Sequence, residues 1–311
     1  MTQDKEKIDW SDQCWKEMLV YQRRLLWLDD TLDKLAAWLG LKPGMTALDV
    51  GCGLGYLGYT YWPYFGKGGR YFGVDISPEL VKDAQKASQE WARGGEASFK
   101  VGDAYKLPFP DDFADLVMCQ ILLMHLERPQ DALAEMIRVA KPGGIVMCKE
   151  PDNVSTMLTI RYPSLPELEI DELLLIAKIT LTYNKGRIKL GLGDWSIGRK
   201  VPRMMKGLGL TDIGVRTNDR AYYIEPPYEG MLQQYHLDHV KKQWLNQKRR
   251  KTWLGRMKAG FLAGGGEPGD FDRYEELDER IMSAMRRQVE EGEFHQCGSG
   301  DIYIIKGRKS A

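Results

Sequence analysis

The chain has 311 residues, of which 43% are apolar and 28% charged, so it is long enough to bury a sizeable core. Lysine plus arginine equals aspartate plus glutamate at 44 each, which excludes a general electrostatic attraction to nucleic acid or to an anionic membrane. The sequence shows no basic leader with an apolar core and no apolar run of roughly 18 to 20 residues that would span a bilayer. We therefore expect a globular protein of the cytoplasm.

Cysteine spacing argues against a metal site and against a disulfide framework. The five cysteines are Cys14, Cys52, Cys119, Cys148 and Cys297. They lie far apart and form no C-x-x-C pair with matching histidines. Cys119 and Cys148 fall inside apolar strand patterns, where cysteine usually behaves as a small buried hydrophobe. We expect reduced thiols and no bound metal.

The first 44 residues read as helical. Apolar residues recur at close to helical spacing between residues 11 and 40, and Gly40, Pro43 and Gly44 then break the pattern. The pattern predicts two helices ahead of the first strand.

A glycine-rich stretch at residues 47–58 follows and is the strongest signal in the chain. The apolar run Ala47–Val50 breaks into closely spaced glycines and resumes as an amphipathic pattern, which predicts a strand, a tight loop and a helix. Gly53, Gly55 and Gly58 also satisfy the dinucleotide fingerprint G-x-G-x-x-G. The loop therefore predicts a ligand cradle, and by itself it leaves the ligand open.

Asp75 stands at the end of the next predicted strand, which begins at Arg70. Open parallel sheets bind ligands at the carboxyl ends of their strands, and a carboxylate there can accept hydrogen bonds from both hydroxyls of a ribose. Ser77 and Pro78 then provide an N-cap and a first helical residue. The position of Asp75 thus predicts contact with a nucleoside.

Further strands are predicted along the rest of the chain. They cover Ala97–Val101, Ala114–Cys119, Ile145–Lys149, Leu210–Thr217 and Asp301–Lys306. The run Ala114–Cys119 is continuously apolar, as expected for a strand buried on both faces.

Taken together, these motifs resemble those of a known family. Asp49 precedes the glycine loop, Asp103 follows the third strand, and Lys141-Pro142-Gly143-Gly144 leads into the fifth. This order resembles the class I S-adenosylmethionine-dependent methyltransferases, most closely the small-molecule branch that includes the ubiquinone and menaquinone biosynthesis enzymes. The resemblance covers residues 45–150 and returns at the C-terminus. It implies an α/β fold with a doubly wound, seven-stranded, mostly parallel Rossmann-like sheet, an N-terminal helical lid and helical cap insertions.

The resemblance also implies a cofactor site for S-adenosyl-L-methionine, with S-adenosyl-L-homocysteine as the product. Asp103 would accept a hydrogen bond from the adenine amino group, Gln120 would line the pocket floor under the methionine part, and Tyr21 and Arg24 would reach its carboxylate. The implied cofactor-binding residues are Tyr21, Arg24, Asp49, Gly51, Gly53, Gly55, Asp75, Ile76, Asp103, Ala104, Gln120 and His125.

Three residues are candidates for acid or base chemistry on the acceptor. His125 follows the fourth strand, and its unperturbed pKa near 6.5 suits a proton acceptor. Glu150 and Asp152 end the fifth strand, where they would orient or deprotonate an acceptor. The residues also fit roles without any part in catalysis, in which His125 is structural and the two acids belong to a surface turn.

The chain is longer than the minimal fold of this family, and the extra residues fall into two insertions. We expect a lid at 1–44, a cofactor-binding core at 45–152, a helical insertion at 153–194, the rest of the core at 195–217 and 301–311, and a helical cap at 218–300. Eighty residues between the last two strands are too many for a structureless loop in a compact domain. We expect the insertions to cover the carboxyl edge and to shape the acceptor pocket.

The function expected from the resemblance is methyl transfer from S-adenosylmethionine to a small-molecule acceptor. Basic and aromatic residues alternate at 241–258, so an RNA methyltransferase is an alternative that the overall charge balance disfavours. Two further alternatives are a nucleotide-dependent oxidoreductase with the same glycine loop and a non-catalytic cofactor-binding protein. No membrane partner is expected, and the sequence leaves open the acceptor and the choice between monomer and homodimer.

Overall fold

The computed structural model describes residues 16–21, 27, 29–159, 168–218 and 221–310. The described residues fall into two compact units. The first, here called the core unit, lies within residues 1–151, 197–219 and 302–311. The second, here called the insertion unit, lies within residues 152–196 and 220–301.

The strands of the structure are β1 (Thr46–Val50), β2 (Arg70–Asp75), β3 (Glu96–Val101), β4 (Ala114–Gln120), β5 (Ala140–Pro151), β6 (Thr211–Thr217), β7 (Ala221–Ile224), β8 (Gln296–Ser299) and β9 (Ile302–Arg308). All except β7 and β8 belong to the core unit.

The helices are α1 (Asp29–Leu39), α2 (Tyr56–Phe65), α3 (Pro78–Trp91), α4 (Pro129–Val139), α5 (Asn153–Thr159), α6 (Ile170–Lys189), α7 (Val201–Gly207), α8 (Met231–His239), α9 (Gln247–Ala263) and α10 (Pro268–Glu291). Residues 16–21 are also helical. Among the described helices, none has the combination of length and apolar character needed to cross a bilayer.

The core unit is built on one seven-stranded sheet with the order β3-β2-β1-β4-β5-β9-β6. Strands β1 to β5 are parallel, and β9 is antiparallel to both β5 and β6. The structure therefore confirms the predicted doubly wound, mostly parallel sheet. The chain moves outward from β1 to β3 and then returns to β4 beside β1, which places the switch in strand order between β1 and β4. Ligands of such sheets bind at the carboxyl ends of the strands beside this switch.

Helix α2 packs tightly against the sheet at Gly58. A Cβ at this position would lie 2.7 Å from the Tyr71 ring and 2.8 Å from Trp91. Tyr71 is fully buried on β2, and its ring meets those of Trp91 and Phe99 at 5.6 and 5.4 Å. Gly58 is thus the glycine of the loop motif that permits close helix-to-sheet contact.

The insertion unit combines helices with a small sheet that the sequence did not indicate. Strands β7 and β8 pair antiparallel, with Ala221 opposite Ser299 and Ile224 opposite Gln296. Helices α6 and α9 approach closely at glycines: a Cβ on Gly186 would overlap the carbonyl oxygen of Gly260, 1.7 Å away. The largest apolar cluster of this unit contains Leu175, Ile176, Ile179, Tyr183, Met257, Phe261, Phe271, Tyr274, Ile281 and Met285. The unit therefore has a hydrophobic core of its own.

We predict that Gly58→Ala destabilises the protein because the new methyl group cannot fit between Tyr71 and Trp91. The expected loss is about 1 to 3 kcal/mol in the free energy of unfolding, measured by urea denaturation. Gly255→Ala in α9 is the matched control, since a Cβ there meets no atom within 4 Å. The control should gain about 0.5 to 1 kcal/mol from helix propensity. Equal stability of the two variants would contradict this packing.

Candidate functional site

The glycine loop after β1 holds three residues in the left-handed region. Gly51, Gly53 and Gly55 have φ values of +70°, +52° and +76°, which other residue types rarely adopt. The N–H groups of Gly51 and Cys52 both donate to the carbonyl oxygen of Val74, at 2.8 and 2.9 Å. These bonds bend the chain sharply across the end of β2.

Asp75 ties this loop to the end of β2. Its Oδ2 accepts from the N–H of Gly53 at 2.8 Å, and its Oδ1 accepts from the N–H of Ser77 at 3.0 Å. Burial raises the pKa of this carboxyl, while the backbone hydrogen bonds oppose the shift. The sequence predicted the position of Asp75 at the strand end but not its bond to the loop. Both carboxylate oxygens keep lone pairs for further donors.

The neighbouring strand ends carry the residues expected around an adenine ring. Ile76, which follows the buried end of β2, is 65% exposed, and Val101 at the end of the edge strand β3 is 51% exposed. Asp103 is exposed, and its Oδ1 accepts from the N–H of Tyr105 at 2.9 Å. Ala104 is half-buried beside it. Because the N–H of Gly102 donates to the carbonyl of Asp75 at 2.9 Å, the ends of β2 and β3 are held together.

Asp49 lies inside the sheet rather than on its surface. Its Oδ2 accepts a hydrogen bond from the Tyr71 hydroxyl at 2.6 Å, and both side chains are buried. Burial raises the pKa of Asp49 to about 7, and the hydrogen bond from Tyr71 opposes this rise. Sequence reasoning missed Tyr71 as the partner, because an aromatic residue in a strand is usually a core residue.

The end of β4 combines an unsatisfied acceptor with a strained residue. Gln120 Oε1 is a buried atom without a hydrogen-bond donor among the described residues. The next residue, Ile121, has φ of +53°, a conformation that costs energy for a β-branched side chain. Its N–H donates to the carbonyl of Lys149 at 2.8 Å. Unsatisfied and strained groups of this kind are often found where a protein binds a ligand.

The carboxylate of Glu150 holds the strained turn in place. Its Oε1 accepts from the N–H groups of Leu122 and Leu123 at 2.9 and 2.8 Å, and its Oε2 accepts from that of Met124 at 3.3 Å. The side chain is fully buried, which raises its pKa to about 7. The position predicted for Glu150 at the end of β5 is as observed. Its contacts are with three main-chain N–H groups and with the Cys119 thiol, and they favour a role in positioning the turn over a role as a base.

The other two candidate bases occupy different environments. His125 is half-buried in a short 3₁₀ helix, Leu123–His125, and its N–H donates to the carbonyl of Leu122 at 3.0 Å. It thus follows directly on the turn held by Glu150. Asp152 belongs to the insertion unit, where it is buried and its carbonyl accepts from the N–H of Thr156 at 3.0 Å. Its Oδ1 accepts from the N–H of Ser155, so it caps the start of α5.

The N-terminal helix at 16–21 lies against the glycine loop. Leu19 Cδ1 is 3.6 Å from the place that a Cβ on Gly53 would occupy. Lys16 Nζ is 2.6 Å from Asp83 Oδ2 on α3, which ties the helix down. Tyr21 is half-buried at its end. Arg24, predicted with Tyr21 to reach a carboxylate, lies outside the described residues, and its role stays a prediction.

Lys149 is an unpredicted residue of the same strand end. It is fully buried on β5, pairs in register with Gln120, and places its Nζ 3.5 Å from the centre of the Trp27 ring. A buried ammonium over an indole face is a stabilising arrangement. The one signal in the sequence was a lysine inside an otherwise apolar strand.

The geometry is thus a glycine cradle at a strand-order switch, with Asp49, Asp75 and Asp103 at or just after the ends of β1, β2 and β3. A family model described as a methyltransferase domain matches residues 48–148, which hold the cradle and these acids. Over these residues, about a third of its length, the chain is similar to methyltransferases.

Individual proteins show the same similarity. An uncharacterized methyltransferase of Schizosaccharomyces pombe is 38% identical over 49% of this chain and 55% of its own length. A demethylmenaquinone methyltransferase of Lysinibacillus sphaericus is 34% identical over 43% of this chain and 54% of its own length. The chain spans about half the length of these curated relatives.

A solved structure shows that the fold is shared. The YcgJ protein of Bacillus subtilis superposes with a TM-score of 0.52 at 17% identity, covering 91% of this chain and 100% of that one. At this identity the similarity establishes the fold alone.

We predict that Glu150 positions the turn rather than exchanging a proton. Glu150→Ala leaves three N–H groups without their acceptor and opens a cavity, so the free energy of unfolding should fall by about 3 kcal/mol or more. Glu150→Gln keeps an oxygen for Leu122 and Leu123 and should recover most of this loss. Urea denaturation measures both, with the exposed Glu90→Gln as the control.

The pH dependence of turnover separates positioning from proton transfer. If Glu150 only positions the turn, Glu150→Gln retains the shape of the kcat against pH profile. Loss of the acidic limb of that profile, in a variant of normal stability, would show that Glu150 is a base.

Proposed function

We propose that this protein transfers the methyl group of S-adenosylmethionine to a small-molecule acceptor. The observation that carries the proposal is the loop of Gly51, Gly53 and Gly55, held in left-handed conformations by the backbone of β2 and by Asp75. It presents main chain and a carboxylate to one ligand at the carboxyl edge of the sheet.

The residues at this edge fit the cofactor in three ways. Asp75 has lone pairs for the ribose hydroxyls beyond its bonds to Gly53 and Ser77. Ile76 offers an exposed apolar surface, and Asp103 an exposed acceptor, for the adenine ring. The buried oxygen of Gln120 lacks a donor among the described residues, and the ammonium group of the methionine part would supply one. Asp49 would add negative charge near that ammonium.

When bound, the cofactor supplies a methyl group on a positively charged sulfur, which a nucleophilic acceptor atom displaces in line. In that transfer the acceptor would gain a bond to the methyl carbon as the carbon–sulfur bond broke, and S-adenosylhomocysteine and a proton would be released. The protein's contribution is to fix the two reactants in line, which can be worth about 7 to 11 kcal/mol in favourable intramolecular cases. A general base typically adds about 10²- to 10⁴-fold.

His125 is our candidate base for that proton. It stands on the short helix that follows the turn held by Glu150, and a neutral imidazole accepts a proton near neutral pH. The contacts of Glu150 and Asp152 within the protein favour structural roles for these two acids. Tyr21 and Arg24 remain our candidates for binding the cofactor carboxylate.

The first acceptors to test are aromatic ring compounds with an exchangeable proton. This choice follows from a relative that is a demethylmenaquinone methyltransferase, and from the partly apolar character expected of the acceptor. That the helical insertions shape the acceptor pocket stays a prediction.

The contacts of the basic stretch weigh against the RNA alternative. Arg250 forms a buried ion pair with Asp278, and Lys258 lies 3.1 Å from Glu275, both acids being on α10. Trp253 packs against Tyr183 and Trp195 at 5.9 and 5.7 Å. Charges and rings that are engaged inside the insertion unit are not free to contact phosphates and bases.

We predict that the affinity for S-adenosylhomocysteine falls as the pH drops below about 7. Asp49 has a pKa of about 7, and only its ionised form attracts an ammonium group. The affinity should therefore weaken as the pH falls through that value, level off at the affinity of the protein with a neutral Asp49, and be constant above it. Tyr71→Phe removes a donor that lowers this pKa, so the midpoint should move to higher pH.

Isothermal calorimetry at a series of pH values measures this dependence. Asp49→Asn is the control, since it removes the titrating group and should make the affinity independent of pH in this range. A midpoint that moves to lower pH in Tyr71→Phe would contradict the assignment.

The main test of the proposed function is the effect of Asp75 on cofactor binding. Asp75→Ala removes charge-assisted hydrogen bonds and should weaken S-adenosylhomocysteine binding by about 10- to 100-fold in calorimetry. Asp131→Asn, an exposed acid on α4, is the matched control. Thermal unfolding of each variant checks that the fold is retained.

Two results would count against the proposal. One is an affinity of Asp75→Ala within twofold of the unaltered protein. The other is tighter binding of NADH than of S-adenosylhomocysteine by the unaltered protein, which would favour an oxidoreductase.

A further inference from the structure

Helix α6 has an apolar stripe on its exposed side. The stripe consists of Ile170, Leu174, Leu181 and Ile188, which are 74%, 61%, 55% and 48% exposed. At 3.6 residues per turn these positions lie within a narrow arc, along about 27 Å of the helix. The opposite side of the same helix is buried in the apolar cluster of the insertion unit. A helix that is apolar on two sides normally has a partner on both.

Charged residues beside the stripe are separated by sign along the helix. Asp171 is exposed in the first turn, whereas Lys185 and Lys189 are exposed in the second half. Asp171 and Lys185 border the same side of the stripe. A second helix of the same sequence, running in the opposite direction, would place each acid beside a lysine of the other copy.

The positions of the stripe fit such antiparallel pairing. Ile170 would face Ile188 of the second copy, Leu174 would face Leu181, and Asp171 would face Lys185. In each pair, the mean of the two residue numbers lies within about one residue of 178. A single two-fold axis near residue 178 therefore produces all three pairs, each of them twice. Both apolar and charged contacts are therefore satisfied by a single arrangement.

Lys178 would lie near the two-fold axis, where it would approach Lys178 of the second copy. Its Nζ lies 2.5 Å from Asp270 Oδ2 on α10, so its charge is already compensated within the chain. This ion pair offsets the repulsion between the two Lys178 side chains at the centre of the arrangement.

We propose that two copies of this chain associate through the stripe of α6, with the two helices antiparallel. A bilayer surface is the main rival occupant. Anionic membranes attract helices whose polar border is uniformly basic. The border here is acidic at one end and basic at the other, which suits an inverted copy of the same helix.

The first test is the mass of the full chain in solution. Sedimentation equilibrium should give twice the chain mass of 35.6 kDa, with dissociation on dilution. The double variant Leu174→Glu, Leu181→Glu should raise the dissociation constant by about 100-fold, because it places charges at the centre of the contact. Leu262→Glu, an exposed leucine on α9, is the matched control and should leave the mass unchanged. Circular dichroism confirms that all variants keep their helices.

The second test uses reversal of charge. Asp171→Lys alone and Lys185→Asp alone should each raise the dissociation constant by about threefold to tenfold, because each sets like charges opposite one another twice. The two changes together restore opposite charges and should return the constant to within about twofold of the unaltered protein. Lys251→Asp on α9 is the control for a charge change elsewhere.

Three results would overturn the proposal. One is a monomer at every concentration reached. Another is a dimer that the stripe variants leave intact. The third is a combination of two findings. The protein binds vesicles of phosphatidylserine and phosphatidylcholine and the double leucine variant does not, while the double charge reversal fails to restore the dissociation constant of the dimer.

Discussion

The hydrogen bond from the Gly53 N–H to the Asp75 carboxylate is the interaction on which the candidate site depends. It joins a loop of left-handed glycines to the end of β2, and the second oxygen of the same carboxylate holds the N–H of Ser77 at the start of α3. One side chain thus fixes the strand, the loop and the following helix relative to each other. The same carboxylate still has lone pairs to offer a ligand, so structure and binding share one group.

Buried acids with internal donors are the second recurring feature. The Tyr71 hydroxyl donates to Asp49, and three N–H groups donate to Glu150. Burial raises the pKa of both acids to about 7, and these hydrogen bonds oppose the rise. The carboxyl edge of the sheet therefore holds two acids with a pKa of about 7, and Asp49 is the one that we propose to act on a cationic ligand.

The parts of the fold that the sequence could predict are those with a local signal. Three features could be recognised from a few neighbouring residues each: the glycine spacing, the apolar run of β4 and the acid that ends β2. Contacts between distant residues carry no such signal: Tyr71 is 22 residues from Asp49, and Leu122 is 28 residues from Glu150. The pairing of β7 with β8 was missed because each strand is only four residues long and they lie far apart in the chain.

A crystal structure of the protein with S-adenosylhomocysteine tests the central claim most directly. The account predicts the adenosyl group against the main chain of Gly51 to Gly55, both ribose hydroxyls within hydrogen-bond distance of Asp75, and the ammonium group at Gln120 Oε1. A ligand bound elsewhere, or one that leaves Asp75 without a contact, would contradict it.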